Sequence, residues 1–214
     1  MKFGWLFVAA LSIGCEKGPI PCAGVGTCPN GRECLASRCV PEGGAAVPNA
    51  SKRLLLRPSA LGVARAHAES GGMAPGVTLG RRADNDTALY VRFDSDWNEG
   101  RVASAFLLLD PLPGSASGED VALEVWRSRR DFVSSTFGWS VQPGLAPPFA
   151  RGLARSAPPA PVRVDVTELL RFFATHPSQD HGFVVRATNQ SESGVTLATG
   201  IDGGAPPRLD VYLE

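Results

Sequence analysis

Apolar and polar residues alternate along most of this chain with a period of two, the spacing of a half-buried strand. Thr87 to Asp94 sets Leu89, Val91 and Phe93 on one face and Tyr90, Arg92 and Asp94 on the other. A short polar turn carrying Trp97 follows, and then Arg101 to Asp110, which is apolar on both faces. The pattern predicts a strand, a turn and a strand, the second central and covered on both sides. Further strands are expected at Arg53–Pro58, Val77–Gly80, Val121–Arg127, Val162–Val166, Gly182–Ala187, Val195–Thr199 and Arg208–Leu213. In Val121–Arg127, Trp126 alternates with Val121, Leu123 and Val125, so it faces away from the core.

The helical period occurs once in this region. Leu169, Leu170, Phe172 and Phe173 make an apolar face, and Pro177 stops the run. Asp165 and Glu168 have the spacing of a capping box, with Asp in place of Ser or Thr. Gly138 to Pro161 holds six prolines, with Phe149, Arg151 and Arg155 among them, and reads as a long loop. Many short strands and one short helix predict an all-β fold, an antiparallel, jelly-roll-like β-sandwich.

The first 51 residues follow different rules. Met1-Lys2 and the apolar run Phe3–Ile13 fit an export signal, the run being well short of the ~20 residues that span a bilayer. The run ends at Gly14-Cys15, a junction resembling a bacterial lipobox, whose cysteine is lipidated; Ser12 stands where Leu is usual. Four cysteines remain: Cys22, Cys28, Cys34 and Cys39. An even number in an exported chain points to two disulfides, with three pairings open. Zinc ligands normally pair at shorter spacing. The expected organisation is a lipoprotein-type signal at 1–14, a lipidated cysteine and cysteine-rich knot at 15–41, a linker at 42–51 and a sandwich domain at 52–214. The knot serves as a rigid stalk or as a small protein-contact module.

Composition narrows the function. The chain of 214 residues carries 21 basic and 21 acidic side chains, so no net field favours nucleic acid. Its 24 glycines and 18 prolines suit turns and short strands. The main region of roughly 160 residues is large enough to bury a core without disulfides, and no cysteine follows Cys39. Only three histidines occur, and no nucleophile-elbow, S-x-x-K or zinc-protease motif is present. The runs Asp84–Asp86 and Asp94–Glu99 are oxygen-rich, as a calcium site requires, but the second fails the EF-hand pattern, with Glu99 where Gly is needed, and both read as turns. The expectation is a protein without catalysis, cofactor or metal.

Several motifs, in order, resemble a known family: Arg92-Phe93-Asp94, the run Val102 to Leu109, Val121–Trp126, Thr136–Trp139 before Pro143, Asp165-Val166-Thr167, Gly182-Phe183 and Pro207–Tyr212. Together they resemble the DNRLRE-type domains of secreted proteins, close to β-sandwich carbohydrate-binding modules, although the DNRLRE string itself is absent. The signal, lipobox and knot layout resembles myxobacterial surface lipoproteins. The resemblance implies a lipid-anchored protein of the outer membrane or cell surface that binds a polysaccharide, an acidic one among the family's ligands. A structural or protein-interaction lipoprotein of the envelope is the alternative. Candidate ligand contacts are Trp97 and Trp126, whose rings suit apolar sugar faces. Arg163, Arg186 and Arg208 would form a basic stripe for carboxylates if their strands are neighbours, and would otherwise pair with acids such as Asp165 and Asp210.

Overall fold

The computed structural model describes residues 28–29, 32–35, 38–41, 50–66, 73–82, 87–94, 101–112, 119–155, 161–192, 194–201 and 204–214. Cys15, Cys22 and Trp97 lie outside them. The described residues form fourteen strands and one α-helix. A hairpin comes first, β1 (Arg32–Leu35) with β2 (Arg38–Pro41), and Cys34 sits opposite Cys39 across it. Cys28 and Cys39 are joined by a disulfide.

The strands of the main region are β3 (Lys52–Leu56), β4 (Pro58–Arg65), β5 (Gly76–Leu79), β6 (Thr87–Phe93), β7 (Val102–Leu109), β8 (Val121–Ser128) and β9 (Thr136–Gly138). They continue with β10 (Leu145–Ala154), β11 (Val162–Asp165), β12 (Phe183–Ala187), β13 (Val195–Ala198) and β14 (Arg208–Leu213). A six-stranded sheet runs β10-β8-β12-β6-β4-β9, a four-stranded sheet runs β11-β7-β14-β3, and β13 pairs with β5. All pairings are antiparallel except that of β4 with β9. The fold is the expected antiparallel β-sandwich.

The period of two explains the core. Leu89, Val91, Phe93, Leu123, Val125, Phe183 and Val185 project from the larger sheet. They meet Ala105, Leu107, Leu109, Val162, Val164, Leu209 and Val211 from the smaller one in a single cluster. Helix α1 (Thr167–Thr175) adds Leu169, Leu170 and Phe173 to the same cluster. The ring of Phe173 meets that of Phe183 edge-on at 5.4 Å. As expected, β7 is central, and its outer residues Phe106 and Leu108 are buried in a second cluster with Tyr212.

Three expectations are corrected. Thr87 to Asp110 is not a hairpin: β6 pairs with β4 and β12, whereas β7 pairs with β11 and β14 in the opposite sheet. Both strands point large apolar residues at one core from opposite sides, so the chain crosses the sandwich between them. The Asp165–Glu168 capping box does not form. The N-cap is Val166; Asp165 Oδ1 accepts the Thr167 N–H at 3.0 Å and the Thr167 hydroxyl at 2.6 Å, while Glu168 pairs with Arg171. The long loop contains the edge strand β10. An edge strand tolerates proline because its outer N–H groups need no ladder partner. Pro147 and Pro148 sit where the register with β8 shifts, between Ala146 and Phe149.

Candidate functional site

Strand alternation places Ala122, Glu124 and Trp126 on the solvent side of β8, between β10 and β12. Register then assembles two rungs across the sheet. One runs Phe149–Trp126–Val184–Tyr90, and the other runs Arg151–Glu124–Arg186–Ala88. In the first rung the Phe149 and Trp126 rings stack at 4.3 Å with 17° between their planes. In the second, Glu124 stands between two guanidinium groups, 3.9 Å from Arg151 and 3.7 Å from Arg186. Its Oε2 accepts the Trp126 Nε1–H at 2.9 Å, which fixes the indole over the sheet. The guanidinium carbon of Arg186 lies 5.8 Å from the Trp126 ring centre, and that of Arg151 lies 5.3 Å from the Phe149 ring centre. Trp126 is half-buried, Phe149 is 39% exposed and the Arg151 side chain is 77% exposed. The face therefore offers an aromatic edge and an excess of one cation, two arginines against one glutamate.

The face ends at β10, and a groove of about 570 Å³ begins there. Phe149 and Arg151 form one wall; Ser104, Asp165, Glu168 and Arg171 line the rest. Gly152 follows the groove residue Arg151 on β10. A Cβ there would lie 2.6 Å from Val164 Cγ2, so only glycine lets β10 come this close to β11. The helical wall is held by hydrogen bonds. Thr167 Oγ1 accepts the Ala105 N–H at 3.0 Å, and Arg171 donates to the carbonyls of Val102 and Ala103, each at 3.1 Å, and to Glu168 at 2.9 Å. Such an open trough, with a ring at its lip and both charge signs on its walls, suits noncovalent binding of an extended polar ligand.

A loop closes the other side of the face. Tyr90, fully buried, donates its hydroxyl to the Pro143 carbonyl at 2.8 Å and lies 3.0 Å from Gln142 Oε1. Burial pushes the Tyr90 phenol well above its ordinary range, although Arg186 nearby acts in the opposite sense. A smaller pocket of about 90 Å³ opens beneath this loop, lined by Ala88, Gln142, Pro143, Gly144, Leu145 and Arg186.

The three arginines expected to form a stripe are divided between the sheets. Arg163 on β11 and Arg208 on β14 both sit opposite Leu108 of β7, while Arg186 belongs to the larger sheet. Arg163 covers the Phe106 ring at 3.4 Å, and Arg208 pairs with Asp110 at 2.5 Å. Burial raises the Asp110 carboxyl, and Arg208 acts against that rise. Asp210 pairs with Arg53 rather than with any of the three, at 2.8 and 3.0 Å, and accepts the Tyr212 hydroxyl. Among the described residues, Trp126 and Arg186 are thus the two sequence-named candidates that share one face of a sheet. Phe149, Arg151 and Glu124 complete their site and were not singled out as ligand contacts. The readable signal was Phe149, Arg151 and Leu153 at period two, obscured by the prolines before them.

Two of the histidines can be placed. His181 Nδ1 lies 3.0 Å from Asp131, which also pairs with Arg92, and His176 stacks on Phe172. Among the described residues no group of three or more His, Cys, Asp or Glu side chains could hold a metal ion. No protein-family model matches the chain, and no curated protein matches it either.

Proposed function

We propose that this protein is a lipid-anchored surface protein whose β-sandwich binds polysaccharide without catalysis. The carrying observation is the stacked Trp126–Phe149 pair at the lip of an open groove, flanked by Arg151 and Arg186. Sugars offer C–H faces to aromatic rings and hydroxyls to guanidinium and carboxylate groups, and an open trough admits a polymer anywhere along its length. Export and anchoring at the outer membrane or cell surface belong to this proposal, and what supports them is the signal-like run Phe3–Ile13 ending at Cys15.

The test uses the full chain carrying Cys15→Ser, which removes the acylation site. Retention in gels cast with a panel of soluble polysaccharides is expected for at least one polymer. The double change Trp126→Ala, Phe149→Ala should weaken that retention by about tenfold, a loss of ~1.4 kcal/mol. Unchanged retention would remove the aromatic lip from the site. Fatty-acid labelling that depends on Cys15 tests the anchor separately.

A protein-docking role is the second reading. Leu153, 46% exposed, adds a second apolar side chain to the outward face of the edge strand, with Arg151 between it and Phe149, and such a mixed edge suits a protein partner. Recovery of one envelope protein by crosslinking through β10, with no polymer retained, would establish that role instead.

A further inference from the structure

The free edge of β10 carries a more specific assignment. In an antiparallel strand the N–H and C=O of one residue point to the same side, and successive residues alternate. The Ser128 N–H donates to the Gly182 carbonyl, and the Ala122 carbonyl accepts the Thr188 N–H, so the even-numbered residues of β8 turn their main chain to β12. Its odd-numbered residues turn theirs to β10, where Val125 stands opposite Ala150 and Leu123 opposite Gly152. Phe149 and Arg151 therefore point their N–H and C=O away from β8, on the side where β10 has no strand beside it among the described residues. Phe149, Ala150 and Arg151 all line the groove of about 570 Å³ although their side chains alternate between faces, which sets the strand edge itself along the groove. Unpaired edges are normally blunted by proline, lysine or a bulge. β10 has Pro147, Pro148 and its register shift in the first half, and none of these devices from Phe149 to Ala154.

We infer that this edge accepts an extended strand of a partner protein, bonded main chain to main chain, whose residues follow the order apolar–x–acidic–x–apolar. The assignment rests on the protein-docking reading and supplies its geometry and partner chemistry. Phe149, Arg151 and Leu153 present apolar, cationic and apolar side chains on one face, and cross-strand neighbours on a face decide which strand pairs. β8 already shows the complement, since Trp126, Glu124 and Ala122 stand opposite these three. Glu124 also serves Arg186, which leaves Arg151 with charge to offer a second carboxylate. A second copy of this chain does not fit. Two β10 strands paired about a two-fold axis with Phe149 opposite Leu153 set Arg151 against Arg151, and like charges directly opposite are destabilising. The added strand lies in the plane of the sheet and leaves the outer faces of Trp126 and Arg186 uncovered.

The probe is a synthetic peptide with the sequence of β8, Val121 to Ser128, and its control carries lysine at the Glu124 position. The full chain carrying Cys15→Ser is titrated with each, and amide hydrogen exchange is followed by NMR. The expected result is saturable binding of the first peptide, with exchange at Phe149 and Arg151 slowed by about tenfold or more. Exchange at Ala150 and Gly152, whose N–H groups already face β8, should not change. The lysine peptide should bind about fivefold more weakly, and Arg151→Glu should reverse that order. Arg151→Val should make the chain dimerise as its concentration rises, seen by sedimentation, where the wild type stays monomeric. Binding without protection of Phe149 and Arg151 would overturn strand addition and leave side-chain docking in its place. No binding of the β8 peptide would overturn the edge as a site, and a dimeric wild type would overturn the choice of partner. A monomeric Arg151→Val would remove the role of Arg151 against self-pairing. Peptide binding with no envelope protein recovered by crosslinking through β10 would sink the docking reading and leave the chemistry of the edge standing.

Discussion

Gly182 shows how single residues set this fold. It has φ +86°, and a Cβ there would lie 2.5 Å from the Val91 carbonyl oxygen. The conformation and the space both exclude a side chain, and the Gly182 carbonyl accepts the Ser128 N–H at 2.9 Å. Gly182→Ala should therefore destabilise the fold by about 1–3 kcal/mol, read as a shift in the urea midpoint at unchanged slope. A shift below ~0.5 kcal/mol would mean that the backbone relaxes at no cost. Arg127 is a contrasting case. It is buried, with no carboxylate partner among the described residues; it donates to the Pro147 carbonyl and its guanidinium lies 3.6 Å from the Phe172 ring centre. Burial pulls its pKa below the ordinary arginine range. Sequence alternation puts Arg127 on the core side of β8 and Trp126 on the solvent side, but it offers no reason for an arginine to be the buried one. Both are large and amphipathic, and only the neighbouring Pro147 carbonyl and Phe172 ring explain the burial of a cation there.

Elements were legible where apolar residues recur at period two. β6, β11, β12 and β14 fall within their expected spans and β8 runs one residue past its own, to Ser128, because the inward face of each is made of apolar side chains. β10 was hidden for the opposite reason. Its outward residues Phe149, Arg151 and Leu153 are all substantially exposed, and its inward residues Ala150, Gly152 and Ala154 are small, so the hydrophobic contrast is weak. The candidate site inherited that gap, since half of it lies on β10. Pairing partners were also illegible: the period of two says which face is inward, and not which sheet a strand joins. The cysteine module is another element where the structure adds what spacing could not. Cys28 is joined to Cys39, which excludes the two pairings that link either of them to Cys22 or Cys34. Peptide mapping of the unreduced protein should recover a Cys28–Cys39 pair, and no peptide joining Cys28 to Cys34 or Cys22. Any such peptide would overturn the pairing.

At the scale of the whole molecule, stability should have an unusual dependence on pH, because its perturbed carboxyls pull in opposite directions. Burial raises Asp180, against the Gly182 N–H that it accepts and the charges of Arg92 and His181, and burial likewise raises Asp110. Asp131 is lowered, first by its hydrogen bond with His181 and then by Arg92. A raised carboxyl binds its proton more tightly in the folded state, so Asp180 and Asp110 weaken the fold at neutral pH. That penalty is relieved as pH falls toward their folded values, above the ordinary carboxylate range of about 4. Asp131 behaves oppositely: its contribution is present above the unfolded value and is lost as pH falls through its depressed folded value. Stability should therefore rise on mild acidification from neutrality and fall only in stronger acid. Asp180→Asn tests the first limb, because an amide oxygen can still accept the Gly182 N–H now bound at 3.3 Å. The variant should be more stable than the wild type at neutral pH and flatter across the mildly acidic window, with the acid limb unchanged. Urea unfolding at a series of pH values measures this directly. A variant curve parallel to that of the wild type would show that Asp180 does not carry the penalty.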